Sequence, residues 1–348
     1  MGLSGRQAQG IDAMEICRSI IDHPGAWTPA SVGGKAGLTR ALDPDHLRAI
    51  DELLARTRHL APLEPVRQDW DHAVFNALLG ELRDTIMNGR CAVVVSGLDR
   101  DRYSDEDFRR LYWGFGTHLG VAVEQSQWGD RIGQVRKENN DPIARGYRGD
   151  QELTLHTDSY ELASLLCLHQ AASGGMSGLA SSLAIHNEIL RTRPDLLPPL
   201  YEGYYYHIDE LKFTERPFTD VKVPVFSCVD GKVSCNFGEK QLRNGALHRH
   251  EKLPPALDEA VAYFASTAAR PDIRLSFMLE PGEMLLWHNF TNLHARTAFT
   301  NSPERERLLL RLWLDVPDGR PLLPAVLARA NAFRWVYDEV KKKSKELA

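Results

Sequence analysis

An imidazole and a carboxylate stand two residues apart at His156 and Asp158, in the stretch Leu155-His156-Thr157-Asp158-Ser159-Tyr160. Side chains of an extended strand alternate with period two, so both groups project to the same side. Such a pair can hold two adjacent positions on one metal ion, and a third ligand must come from elsewhere. The best source is Trp287-His288-Asn289-Phe290-Thr291-Asn292-Leu293-His294, far downstream. Two histidines and one carboxylate on one face, with the other face open, are the ligand set of non-haem iron(II) sites. Alone, His-x-Asp is a weak signal: thirteen histidines make chance pairs common, and a histidine beside an aspartate is usually a hydrogen-bonded structural pair. Its setting strengthens it. A strand-like segment ends there and the apolar run 163–168 follows, which places the pair at a strand mouth, where ligand sites gather. On spacing alone His288 and His294 compete for the third position.

A second demand comes from Arg305-Glu306-Arg307-Leu308-Leu309-Leu310-Arg311-Leu312-Trp313-Leu314. Apolar residues on both faces read as a strand buried on both sides. Arg307 and Arg311 share one face of it. A guanidinium cannot be neutralised and is costly to bury unpaired. Structural salt bridges, or a strand end reaching solvent at Arg307, would satisfy them; so would two anion sites inside a barrel. Four strand residues separate the two arginines by roughly 13 Å at about 3.3 Å per residue, too far for one small anion to serve both. A dicarboxylate cosubstrate at one and an anionic substrate at the other would.

These residues must be carried by ordered elements. Helical spacing marks Pro44 to Leu54, capped by Asp43 or Asp45, and Asp71 to Met87, closed by Asn88-Gly89. The strand Cys91–Val95 follows, then a helix opened by Ser104. From about residue 120 short strand-like runs take over: 121–123, 132–135, 153–155, 163–168, 178–182, 204–208, 223–226, 232–235, 273–279, 284–287 and 308–316. Helices at 184–193 and 254–269 interrupt them. Many short strands with scattered helices point to a β-sandwich or barrel with helical cover, not to alternating βαβ units.

Composition bounds the rest. The 348 residues are 43% hydrophobic and 26% charged, ordinary for a soluble globular chain with a large core. A net charge of -5 gives no reason to expect nucleic acid, and the one long basic run, 341–345, reads as a solvated helix end. There is no apolar run near membrane-spanning length, and Met1-Gly2-Leu3-Ser4-Gly5 fits neither a signal peptide nor a myristoylation site. Five cysteines without CxxC spacing make a disulfide framework unexpected, so a cytoplasmic location is the expectation.

Four segments in order resemble one family: His156-Thr157-Asp158; Ser173-Gly174-Gly175-Met176-Ser177; Leu293-His294-Ala295-Arg296-Thr297-Ala298-Phe299; and Arg307-Leu308-Leu309-Leu310-Arg311-Leu312-Trp313-Leu314. Over residues 85–320 the chain resembles the iron(II)/2-oxoglutarate-dependent dioxygenases of the taurine dioxygenase-like (TauD/TfdA) family. The resemblance implies a mostly-β fold with helical cover: a double-stranded β-helix (jelly-roll, cupin-like) core of the clavaminate synthase-like kind. A helical lead-in (1–84) and a helical tail (321–348) would flank it. It implies His156, Asp158 and His294, rather than His288, as ligands of Fe(II). It places Arg307 and Ser177 on the remote carboxylate of the cosubstrate 2-oxoglutarate, with O2 as second cosubstrate and succinate and CO2 released. An intact Asp158 argues against halogenation, because halogenating relatives carry a small residue there.

The expected reaction is hydroxylation, or a related C–H oxidation, of a small anionic molecule such as an amino acid or related carboxylate. Arg311, Tyr160, Arg296 and His288 are the candidate substrate contacts. For Tyr160 core packing competes, and for Arg296 a salt bridge. A zinc hydrolase on the same three ligands, or a non-catalytic jelly-roll binding protein, are the alternatives; the first leaves the two buried arginines without purpose, and an intact triad speaks against the second. Asn236, Phe237 and Gln241 fall in a stretch that could form a lid, and His248-Arg249-His250 reads as an exposed loop. No nucleic-acid or membrane partner is expected, and a homo-oligomer stays open.

Overall fold

The computed structural model describes residues 15–126, 128–138, 146–208 and 217–346. The Met1–Gly5 stretch, and with it the start of the lead-in, lies outside the described residues. Two sheets form the centre. The larger is mixed and runs in the order Thr39–Ala41, Ala92–Ser96, Met284–His288, Leu162–His169, Leu308–Asp315, Val121–Ala122, with Gly133–Val135 also paired to Leu308–Asp315. Only the first pairing is parallel. The smaller sheet is antiparallel, in the order Arg274–Phe277, Ser177–Ser181, Asn292–Arg296, Leu153–His156.

Period-two alternation decides what each sheet face meets. Val93, Val95, Leu166, Leu168, Met284, Leu286, Leu310, Leu312 and Leu314 turn outward. There they pack on the helices Pro44–Thr57, Ala73–Met87 and Asp105–Leu119. Val94, Ala163, Cys167, Leu285, Trp287, Leu309 and Trp313 turn inward and meet Leu179, Leu275 and Phe277 of the smaller sheet. The outer face of that sheet, including Leu155, Ala180, Leu293 and Ala295, is covered by Ser182–Thr192, Leu197–Glu202 and Pro255–Ala269. Arg307 and Arg311 follow the inward set. A one-residue register slip would turn both guanidiniums into the apolar helix layer, so the pattern fixes the register.

Several expectations are corrected. The run 204–208 forms no strand, only isolated bridges from Tyr204 to Val223 and His207 to Phe218. The Thr219 hydroxyl takes the Tyr206 N–H (3.1 Å) in place of a ladder partner. The expected strand 223–226 starts only at Phe226, because Pro224 has no N–H to give. The lead-in is not only helical: Thr39–Ala41 adds a parallel edge strand, too short for alternation to reveal. His248 ends the helix Glu239–His248 rather than lying in a loop. The basic run 341–345, by contrast, is at a helix end as expected, in the last turns of the helix Pro324–Glu346. No helix among the described residues is long and apolar enough to cross a membrane. All five cysteines are free thiols.

Candidate metal centre and anion pocket

A cavity of about 130 Å³ opens between the two sheets. His156, Asp158, His294, Ser177, Tyr160, Arg296, Arg307 and Arg311 all line it. His288 does not. It follows Trp287 on the strand Met284–His288, so when Trp287 faces the cavity His288 faces away. It is 1% exposed and 3.4 Å from Glu161, which also accepts the Arg320 N–H. The expectation that His288 contacts substrate is therefore corrected.

His156 ends the strand Leu153–His156 and lies directly across from His294 on Asn292–Arg296, with ring centroids 4.2 Å apart. Asp158 follows just past the strand end. Its carboxylate oxygens sit 3.9 Å from His156 Nε2 and 3.5 Å from His294 Nε2. One ligand atom from each residue can be chosen so that all lie within 4.8 Å of one another. The His156 ring is oriented by a 2.7 Å contact from Nδ1 to the Thr154 carbonyl. That leaves Nε2 for the cluster, the usual arrangement in which a second hydrogen bond fixes a ligating imidazole.

Electrostatics suit a divalent cation. Burial pushes the Asp158 carboxyl up, but its polar surroundings, the Arg311 guanidinium and the Trp313 indole N–H among them, outweigh it and hold the group well below the usual carboxylate range. Burial, aided by His156, pushes His294 down to about 3, so its imidazole is neutral and available as a ligand. An anionic carboxylate beside two imidazoles fits a metal such as iron(II) or zinc.

The segment that carries the pair is clamped by residues the sequence did not reveal. Trp313 donates its indole N–H to Asp158 Oδ2 at 2.7 Å. Asn289 accepts the Asp158 N–H (3.0 Å) and donates to the Tyr160 carbonyl (2.9 Å). Thr157 and Phe237 exchange hydrogen bonds. Arg329, from the C-terminal helix, donates to the Thr157 carbonyl (3.1 Å) and to Asn236 (2.9 Å). Asn236 and Phe237, expected in a possible lid, are buried braces, while Gln241 lines the cavity. Alternation along Leu308–Asp315 could have pointed to Trp313; nothing local pointed to Asn289 or Arg329.

The arginines divide the cavity. Arg311 donates Nε–H to Gln125 Oε1 (2.8 Å), and its guanidinium lies over the Trp313 and Tyr147 rings at 3.9 and 4.3 Å. Arg307 is 4% exposed; among the described residues its guanidinium reaches the Val135 carbonyl, at 3.4 Å, and no carboxylate pairs with it. Burial, then Arg296, pushes it down to about 10. The Gly174-Gly175 turn lies against it. Gly175 has φ +76°, and a Cβ there would come within 3.1 Å of Arg307 Nε, so glycine suits both the backbone and the approach. Ser177 begins the next strand directly across from Arg296. Tyr160 is 2% exposed, its ring 5.4 Å from that of Trp313.

Comparison with known proteins agrees with this geometry. A family model described as "Taurine catabolism dioxygenase TauD, TfdA family" matches residues 56–313. FR-33289 synthase of Streptomyces rubellomurinus is 34% identical over 326 residues, 88% of this chain and 94% of that protein. Uridine-5'-phosphate dioxygenase of a Streptomyces species is 34% identical over 154 residues, 42% of this chain and 53% of that protein. A solved structure of asparagine oxygenase with Fe(II), 2S,3S-3-hydroxyasparagine and succinate superposes with a TM-score of 0.65. It does so at 16% identity, over 80% of this chain and 93% of that one.

Proposed function

The chain belongs to the TauD/TfdA dioxygenase family, and on that premise we propose that its cavity oxidises a C–H bond of a small anionic substrate, an amino acid or related carboxylate. The protein is a 2-oxoglutarate-dependent dioxygenase, with Fe(II), 2-oxoglutarate and O2 as its cofactor and cosubstrates. One observation carries the residue assignment: the His156, Asp158 and His294 ligand atoms share a cavity with a buried guanidinium, Arg307, that no described carboxylate neutralises. In this reading the three residues hold iron, and Arg307 with Ser177 receives the remote carboxylate of 2-oxoglutarate. When bound, iron(II) with 2-oxoglutarate and O2 supplies the oxidant for an unactivated C–H bond, with release of succinate and CO2.

The chain's own residues orient and exclude. Trp313 and Asn289 hold Asp158 in place, and the Thr154 carbonyl holds His156. Trp287, Leu165, Tyr147 and Trp313 shield the site from water, which strengthens every charge interaction inside it. Arg311, between the Trp313 and Tyr147 rings, is the group we assign to the substrate anion, with Tyr160 on the same wall. We read the two facing sheets as a double-stranded β-helix spanning 85–320. In this division the described part of the lead-in, from residue 15 to 84, packs on the core, and the tail that begins at 321 adds Arg329 to the cavity wall.

The test is succinate release by the iron(II)-loaded enzyme, screened across amino acids, betaines, sulfonates, aryloxyacids and uridine 5'-phosphate. One anionic class should stimulate succinate formation well above the substrate-free rate, with an equivalent of oxidised product. Stimulation by neutral or cationic compounds alone would contradict the assignment of Arg311.

A further inference from the structure

We propose that Arg296 is a second cosubstrate-binding guanidinium, so that the remote carboxylate of 2-oxoglutarate is received by Arg296 and Arg307 together with Ser177. This rests on the reading of the cavity given above and goes beyond it, since the sequence placed Arg296 with the substrate or in a salt bridge. Three observations carry it.

The first is position. Arg296 lies two residues beyond His294 on the strand Asn292–Arg296, lines the same cavity, and is the direct cross-strand partner of Ser177. The second is company. The Arg296 and Arg307 guanidiniums both lie over the Phe299 ring, with their central carbons 4.9 and 5.1 Å from its centroid. Arg296 therefore belongs to the Arg307 end of the cavity. Arg311 belongs to the other, over Trp313 and Tyr147.

The third is unmet hydrogen-bonding capacity. Arg296 is 5% exposed, and one terminal nitrogen is committed to the Gln151 carbonyl. Its Nε and Nη1 are buried with no partner among the described residues. Two like charges held against one ring, both buried, repel each other and are poorly hydrated. A carboxylate between them would satisfy the free N–H groups and cancel the repulsion. A planar carboxylate with two oxygens matches two guanidinium forks.

The consequence is a division of labour. Arg307 and Arg296 define the cosubstrate, and Arg311 is left to the substrate. Calorimetric titration of the anaerobic iron(II)-loaded enzyme with 2-oxoglutarate tests this. Arg296→Met should raise the Kd of 2-oxoglutarate by about tenfold to a hundredfold, the worth of one charge-assisted hydrogen bond. The affinity for iron(II), titrated separately, should stay at the wild-type value, whereas a general loss of structure would lower both. Arg296→Lys keeps the charge but loses the fork, so an intermediate Kd is expected; it also serves as the comparison if Arg296→Met melts early. A 2-oxoglutarate Kd within about twofold of wild type in the folded variants would overturn the proposal. Arg307→Met is the control for the underlying reading: if it too binds 2-oxoglutarate normally, the cosubstrate pocket itself is misassigned.

Discussion

Replacing Asp158 by alanine should abolish 2-oxoglutarate turnover and weaken iron(II) binding by more than the about 10–100-fold that loss of a merely supporting partner costs. Asp158 supplies the only anion among the three proposed ligands. Its side chain is 12% exposed, so water compensates for its loss poorly. The substitution removes the Asp158 acceptor of the Trp313 indole N–H and leaves His156 and His294 facing each other with no carboxylate between them. Two imidazoles without a carboxylate hold a divalent ion loosely. Iron titration and succinate release on the same preparation check this, with the melting temperature as a folding control. An iron affinity within a few-fold of wild type would remove Asp158 from the ligand set.

Arg307→Met carries the second large effect, and its sign differs between the empty and the loaded protein. In the cosubstrate complex the substitution leaves a carboxylate buried without its partner. Truncation of a buried charge pair costs about 2–5 kcal/mol, which is thirtyfold or more in the Kd of 2-oxoglutarate. In the empty protein the buried guanidinium has no described carboxylate partner, and burial already pushes it down to about 10. An apolar side chain of similar length removes that uncompensated charge, so the melting temperature without ligand should hold or rise. Arg307→Lys should bind 2-oxoglutarate better than Arg307→Met and worse than wild type, because an ammonium lacks the two-pronged fork. Calorimetry and a thermal melt with and without 2-oxoglutarate measure both halves. A variant less stable when empty and unchanged in binding would make Arg307 a structural residue.

What the sequence made legible follows from the range of each signal. His156 and Asp158 are two residues apart, and strand alternation alone puts them on one face. Arg307 and Arg311 could be read as inward-facing because the leucines between them define an apolar strand. His294 needed the family resemblance, since its contact with His156 is a cross-strand register that no local spacing encodes. His288 was misplaced for a related reason. Alternation tells that Trp287 and His288 face opposite ways, but not which of them faces the cavity; packing against Glu161 decides that. Asn289 and Arg329 hold the 157–160 segment from 131 and 172 residues away in sequence. Arg329 comes from a helix beyond the matched family segment, so neither pattern nor resemblance could place it. The 204–208 run failed as a strand because its ladder partner was replaced by the Thr219 side chain, a substitution invisible to β-propensity.

The central claim is that one cavity holds iron through His156, Asp158 and His294 and chelatable 2-oxoglutarate through Arg307. The most direct measurement is the visible spectrum of the anaerobic protein as iron(II) and then 2-oxoglutarate are added. A weak charge-transfer absorption should appear only when both are present, reach a limit at one equivalent of each, and be absent from His294→Ala. No such absorption in the wild type, or an undiminished one in His294→Ala, would contradict the assignment.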